Sequence, residues 1–149
     1  MDRESKQATH QSARRQRLKV LVVEDNSISA RVVQVMLTVL GHQPYLASEA
    51  RSALEVWSTS SFDCVLMDLE LPDMNGAQIM KLMRENGSGN GTDCPIIAMT
   101  AHAYYGDRTR FLADGFDGYI AKPLRMADMA HEIERVCHSA CFTGTHNEQ

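Results

Sequence analysis

Three short aliphatic runs, Lys19-Val-Leu-Val-Val-Glu24, Asp63-Cys-Val-Leu-Met67 and Pro95-Ile-Ile-Ala-Met99, constrain this chain more than any other feature. Each is too continuously apolar for a strand with one wet face, so each reads as a strand buried on both sides. Such strands need apolar cover over both faces of their sheet, and the intervening segments supply it. Ile28, Val32, Val35, Met36, Val39 and Leu40 are spaced as one stripe of a helix that ends at Gly41. Ala50, Ala53, Leu54 and Trp57 repeat the helical spacing, as do Ile79, Leu82 and Met83. A shorter helix over 103–113 closes at Gly115, and Met126, Met129, Ala130, Ile133, Val136 and Cys137 mark the last one. Weaker strands at Gln43–Ala47 and 116–121 complete five βα units.

A βα repeat with crossovers of this length gives an α/β fold: a single doubly wound, five-stranded parallel sheet with five helices on its two faces. The chain's 149 residues suit one such domain. We place it at 18–138, after a basic arm at 1–17 and before a tail at 139–149. The arm carries Arg3, Lys6, Arg14, Arg15 and Arg17 against Asp2 and Glu4, has no periodicity, and reads as a solvated extension. The rest of the chain holds 10 basic and 17 acidic residues, which argues against a nucleic-acid surface on the domain. No apolar run is long enough to span or enter a membrane. The cysteines at 64, 94, 137 and 141 form no CxxC pair and read as free thiols of a reducing, cytoplasmic compartment. Cys137, His138, Cys141 and His146 match the spacing of no compact zinc site. Trp57 and most of the nine methionines fall at packing positions.

Doubly wound sheets place their sites beyond the carboxyl ends of the strands. At those ends stand Glu24-Asp25, Asp68, Thr100 and Lys122-Pro123. Asp25 could also serve as the cap of the following helix. Three acids brought to one edge repel one another and call for a cation, and oxygen ligands at an open mouth favour Mg²⁺. A carboxylate without a partner base is suited to nucleophilic attack on phosphorus. Phosphoryl transfer needs charge neutralisation and positioning above all, which a divalent ion, the Lys122 ammonium and the Thr100 hydroxyl would supply. Asp68, between Met67 and Leu69, takes the part of phosphate acceptor.

The set Val-Val-Glu24-Asp25-Asn, Leu-Met-Asp68-Leu-Glu-Leu-Pro72-Asp-Met-Asn-Gly76, Ala-Met-Thr100-Ala101-His and Tyr119-Ile-Ala-Lys122-Pro123 closely resembles the receiver domain of two-component response regulators. The likeness covers about residues 18–138, and the later motifs look most like receivers attached to hybrid sensor histidine kinases. It implies a flavodoxin-like fold and a role as phosphoacceptor in a phosphorelay. It implies that Asp68 is phosphorylated, that Asp25 ligates Mg²⁺ directly and Glu24 largely through water, and that the Glu70 backbone carbonyl is a further ligand. Thr100 and Tyr119 would form a switch pair, and Lys122 would hold the phosphate, placed by a cis bond to Pro123. The implied partners are a histidine kinase or histidine phosphotransfer domain, and a downstream protein that feels the helix over 103–113, where Tyr104 and Tyr105 lie.

The departures are small: Asn75 stands where an acid is common and Leu71 where methionine is frequent, and the glycine-rich loop at 86–93 is long. Glu70 and His102 lie two residues beyond Asp68 and Thr100, where the family tunes the lifetime of the phosphoryl group. Two other readings compete. A haloacid dehalogenase-type phosphatase also uses a strand-end Asp, a Thr and a Lys, but wants DxD near the chain start, where this chain has Asp68-Leu-Glu70 in its middle. A receiver-like interaction domain that no longer takes phosphate would not need all five key side chains. Only 12 residues follow Cys137, so an output domain is expected elsewhere, in a partner or in a longer protein.

Overall fold

The computed structural model describes the backbone of residues 17–86, 93–101 and 107–147, and the side chains of these up to Cys137 except 107 and 108. The order of elements is β1 (Lys19–Val23), α1 (Ser27–Val39), β2 (Gln43–Ala47), α2 (Ala50–Thr59), β3 (Cys64–Asp68), α3 (Gly76–Glu85), β4 (Ile96–Thr100), α4 (Asp107–Asp114), β5 (Gly118–Ala121) and α5 (Met126–Asn147). All strands are parallel, in the order β2-β1-β3-β4-β5. The order reverses between β1 and β3, the point where open α/β sheets leave a crevice for a ligand. Every expected strand and helix is present. Most of the basic arm, most of the loop at 86–93, His102, Tyr104 and Tyr105, and the side chains of His138, Cys141 and His146 lie outside the described residues.

The aliphatic runs do what their composition demands. Every residue of β3 and β4 is buried, as are Val20 to Val23 of β1. Alternate side chains feed two separate cores. Leu21, Val23, Val65, Met67, Ile96 and Ala98 meet α2 and α3, where Trp57, Ile79 and Met83 are fully covered. Val20, Val22, Leu66, Ile97 and Met99 meet α1 and α5 through Val33, Leu37, Met129 and Ile133. The Trp57 ring N–H donates to the Met83 carbonyl at 3.0 Å, so its one polar atom is satisfied inside the core.

Two elements differ from the sequence reading. In α1 the apolar stripe divides: Ala30, Val33 and Leu37 face the sheet, while Ile28, Val32, Val35 and Val39 are exposed, Ile28 at 76% and Val39 at 66%. Helix α5 does not stop near Cys137 but continues to Asn147, so residues 139–147 extend the helix where a tail was expected. No proline interrupts that stretch, and its only glycine is Gly144.

The amino-terminal ends of β4 and β5 are tied by one arginine. Arg84, in the last turn of α3, donates to the Cys94 carbonyl at 2.7 Å, the Gly115 carbonyl at 3.1 Å and Asp117 Oδ2 at 2.9 Å. Asp117 Oδ2 in turn accepts the Ile96 N–H at 2.8 Å. Fixing the strands at this end sets the register that carries Thr100 opposite Ala121 at the other.

Candidate functional site

Two strand ends deliver three carboxylates to the carboxyl edge of β1 and β3. Strand β1 ends at Val23, and the next residue, Glu24, is held in line because its N–H donates to the Ala47 carbonyl of β2 at 3.0 Å. The chain then turns into α1. Its cap is Asn26, whose side chain accepts the Ser29 N–H at 2.9 Å. Asp25 is therefore not the cap, and its carboxylate stands exposed at the mouth. Asp68 is the last residue of β3 and, like Glu24, only 3% exposed. One oxygen from each of Glu24, Asp25 and Asp68 falls within 4.8 Å of the others.

Lys122 reaches into this group from beyond β5. Its N–H donates to the Thr100 carbonyl at 2.8 Å, and its peptide bond to Pro123 is cis, as expected. The ammonium lies 3.0 Å from Glu24 Oε1 and 3.5 Å from Asp68 Oδ1. The remaining oxygens are partly engaged. Glu24 Oε2 accepts the Asn26 N–H at 3.2 Å, and Asp68 Oδ1 accepts the Glu70 N–H at 3.0 Å. Burial pushes the Glu24 carboxyl above its ordinary range, a hydrogen bond with Asp68 pushes it further, and Lys122 pulls it partly back. Burial by itself would lower Lys122, but the bond to Glu24 and the charge of Asp68 prevail and raise it.

Three carboxylates against one ammonium leave two formal negative charges in a largely buried space. The donors are hard oxygens, and the one exposed acid, Asp25, lies at the entrance. This donor set fits a small divalent cation that keeps some of its water, as Mg²⁺ does.

The other expected residues are placed as follows. Thr100 ends β4 and is buried. Tyr119 lies in β5, opposite Ala98 in the register, and thus on the same sheet face as Thr100 two residues on. Its ring is half-buried and packs on Phe111 of α4 at 5.4 Å between centroids. Glu70 is exposed just past the acceptor position. Gly76 opens α3 directly under Asp68: a Cβ there would stand 2.7 Å from the Asp68 carbonyl oxygen and 3.0 Å from Leu69 Cα. Sequence reasoning missed two contributors, the Arg84–Asp117 tie and a buried acid on α5, Glu132.

This arrangement agrees with relatives of known type. Residues 20–134 match the family model described as the response regulator receiver domain. The chain belongs to that family. Among curated proteins, this receiver is 37% identical over 111 residues to hybrid signal transduction histidine kinase I of Dictyostelium discoideum, covering 71% of the chain and 6% of that protein. It is 32% identical over 116 residues to the sensor histidine kinase GacS of Pseudomonas protegens, covering 77% and 13%. The receiver thus spans a small part of the length of the hybrid kinases it matches. Among solved structures, the receiver domain of the sensor histidine kinase PA1611 from Pseudomonas aeruginosa, with a magnesium ion in its active-site cleft, superposes with a TM-score of 0.70 at 33% identity. That match covers 81% of this chain and 98% of the other. The chemotaxis protein CheY4 of Vibrio cholerae superposes with a TM-score of 0.72 at 25% identity, over 79% and 97%. The fold is thereby the flavodoxin-like receiver fold, and the chain is a two-component receiver rather than a dehalogenase-type phosphatase. Among the described residues, no helix is long and apolar enough to cross a membrane.

Proposed function

We propose that this receiver takes a phosphoryl group from a phosphohistidine donor onto Asp68 and that the modified state alters a partner-binding surface. The observation that carries the reading is the meeting of Glu24, Asp25 and Asp68 with Lys122 at the switch in strand order. An Asp68 carboxylate oxygen attacks phosphorus, the bond from phosphorus to the donor's imidazole nitrogen breaks, and an acyl phosphate forms while the imidazole leaves and takes up a proton. Lys122, already raised and beside Asp68, remains an ammonium and pairs with a phosphoryl oxygen. Thr100 donates its hydroxyl to another. Asp25, Glu24, Asp68 and the Glu70 carbonyl would hold Mg²⁺. When bound, that ion neutralises negative charge on the acids and the phosphoryl oxygens. Phosphorylation and its reversal are self-catalysed at one residue.

The switch follows from the same contacts. A phosphoryl group on Asp68 draws Thr100 and Lys122 toward it, and Tyr119 turns inward to fill the space Thr100 leaves. Its ring would then exchange its contact with Phe111, shifting the population of α4 and β5 conformations. The donor, a histidine kinase or histidine phosphotransfer domain, would dock beside the pocket, where the exposed Ile28, Val32, Val35 and Val39 of α1 lead away from the Asn26 cap. The downstream partner would read the α4 side. The basic arm at 1–17 and the domain at 18–138 stand as separate units in this reading, within a cytoplasmic relay.

The test is intact mass after incubation with acetyl phosphate and Mg²⁺, compared with Asp68→Asn. One phosphoryl adduct on the natural chain and none on the variant is expected. An adduct on both, or on neither, would overturn the assignment and, in the second case, favour a receiver-like interaction domain.

A further inference from the structure

Among the described residues, four polar side chains are buried: Glu24, Asp68, Thr100 and Glu132. The first three belong to the acidic pocket. Glu132 does not. It is 5% exposed and stands on α5 between Met129 and Val136, on the face that packs against the sheet. A buried carboxylate must be paired and hydrogen-bonded to be tolerated.

Its partners lie on the edge strand β5. Glu132 Oε2 accepts the backbone N–H of Tyr119 at 3.0 Å. Arg135, one turn further along α5, donates to Glu132 Oε2 at 2.7 Å and to Oε1 at 3.2 Å, and also to the Asp117 carbonyl at 3.2 Å. One acid–base pair on α5 therefore holds a donor of the strand, at Tyr119, and an acceptor just before it, at Asp117. The space for it exists because residue 118 is glycine: a Cβ there would overlap Glu132 Oε2 and stand 3.0 Å from the Arg135 guanidinium. The buried acid, the glycine that admits it and the arginine that neutralises it fit one another across two elements.

Tyr119 is thus tethered twice, by its ring to Phe111 of α4 and by its backbone to α5. A change of the ring's rotamer releases the first tether and leaves the second. A charge-assisted bond to a buried carboxylate is stiff enough to pass on a displacement that a bare edge strand would absorb. We propose that Glu132 is a positioning residue of the switch: it fixes the Tyr119 backbone to α5, so that the rearrangement set off at Asp68 is carried into α5 as well as α4. The inference rests on the switch role given to Tyr119 above.

Amide exchange of the full chain, with Mg²⁺ and with or without beryllofluoride, reads this directly, with loading at Asp68 followed by the fluorine signal of the bound group. In the natural chain, exchange changes on loading in both β5 and the 129–137 stretch of α5. Glu132→Gln retains an oxygen acceptor for Tyr119 and keeps both responses. Glu132→Leu removes the acceptor, and Gly118→Ala displaces it from the opposite side; each loses the α5 response while keeping that of β5. If Glu132→Leu fails to fold, Gly118→Ala decides the matter. A full α5 response in the variants lacking the bond overturns the inference, as does a Gln variant that behaves like Leu. Loading of the natural chain with no response in either segment overturns the switch reading and this inference with it, and absence of loading overturns the phosphoacceptor reading first.

Discussion

Removing the Lys122 ammonium tests the electrostatics of the pocket most directly. In Lys122→Met the group 3.0 Å from Glu24 Oε1 and 3.5 Å from Asp68 Oδ1 is lost, while most of the stem's bulk is kept. Both acids are almost fully enclosed, so water cannot take the cation's place. Breaking a buried pair by deleting one partner costs about 3–5 kcal/mol. The protein has one relief, which is to keep Glu24 protonated. That carboxyl is already raised from 4.5 by burial and by Asp68, and Lys122 is what lowers it. Holding a carboxyl protonated costs about 1.36 kcal/mol for each pH unit above its unfolded value. The relief therefore limits the share of the loss due to Glu24 to about 3 kcal/mol at pH 7 and about 1 kcal/mol at pH 5.5, taking 4.5 as the unfolded value. A raised folded value means the folded form holds the proton more tightly than the unfolded chain. Stability is then full below 4.5 and is lost as pH rises through the folded value. The variant raises that value further, so its deficit must grow with pH. Urea denaturation without divalent cations should show Lys122→Met about 2–3 kcal/mol less stable at pH 7 and about 1 kcal/mol less stable at pH 5.5. Mg²⁺ should narrow the gap, because it supplies positive charge in place of the ammonium that the variant has lost and lets Glu24 ionise. A deficit equal at both pH values, or none, would refute the charge-balancing role of Lys122.

Four further outcomes are expected. Gly76→Ala forces a Cβ to within 2.7 Å of the Asp68 carbonyl oxygen, so it should cost about 1–3 kcal/mol in chemical denaturation and slow acetyl phosphate labelling of Asp68; unchanged labelling would contradict the close approach. Val32→Asp alters an exposed position and should leave stability within about 0.5 kcal/mol. It should depress transfer from a phosphohistidine donor while sparing acetyl phosphate, and equal effects on both would remove α1 from the docking site. Burial holds the Cys94 thiol up to about 12 against an ordinary 9.0. Folding therefore opposes its ionisation, and stability should fall as pH rises from 9 toward 12, more steeply in the natural chain than in Cys94→Ala. Site-resolved iodoacetamide labelling at pH 8 should leave the buried Cys64, Cys94 and Cys137 untouched until urea unfolds the chain.

Much of the fold was legible because the central strands are buried on both faces, a condition that leaves continuous aliphatic runs in the sequence. The site was legible for a topological reason. Parallel strands all end at the same edge, so Glu24, Asp25, Asp68, Thr100 and Lys122 are brought together by strand order even though 98 positions separate Glu24 from Lys122. The orientation of α1 was not legible. Its sequence, SISARVVQVMLTV, has a single charged residue and apolar side chains nearly all round, so periodicity announces a helix without saying which side faces the sheet. The sheet takes the side with Ala30, Val33 and Leu37, and that choice leaves Ile28, Val32, Val35 and Val39 outside.

Glu132 was hidden for a different reason. On a helix read for its apolar stripe, a glutamate between Ile133 and the exposed side counts as the first polar residue of the wet face. Its burial depends on the missing Cβ of Gly118 and on the reach of Arg135, and neither fact is local to the helix. A lone glycine in a strand that otherwise reads Tyr-Ile-Ala was the available signal, since glycine inside a strand marks a close approach by some other group. Here the approaching group is a carboxylate, bound to the backbone of the residue that the family likeness makes the switch. The two buried acids outside the acceptor position therefore differ in kind. Glu24 is held against repulsion from Asp68 and depends on Lys122, so its environment changes as soon as charge is added to the pocket. Glu132 has its own guanidinium and its own backbone donor, so it keeps its geometry while the pocket changes. A relay needs both: one end that responds to charge and one that stays rigid enough to pass the response on.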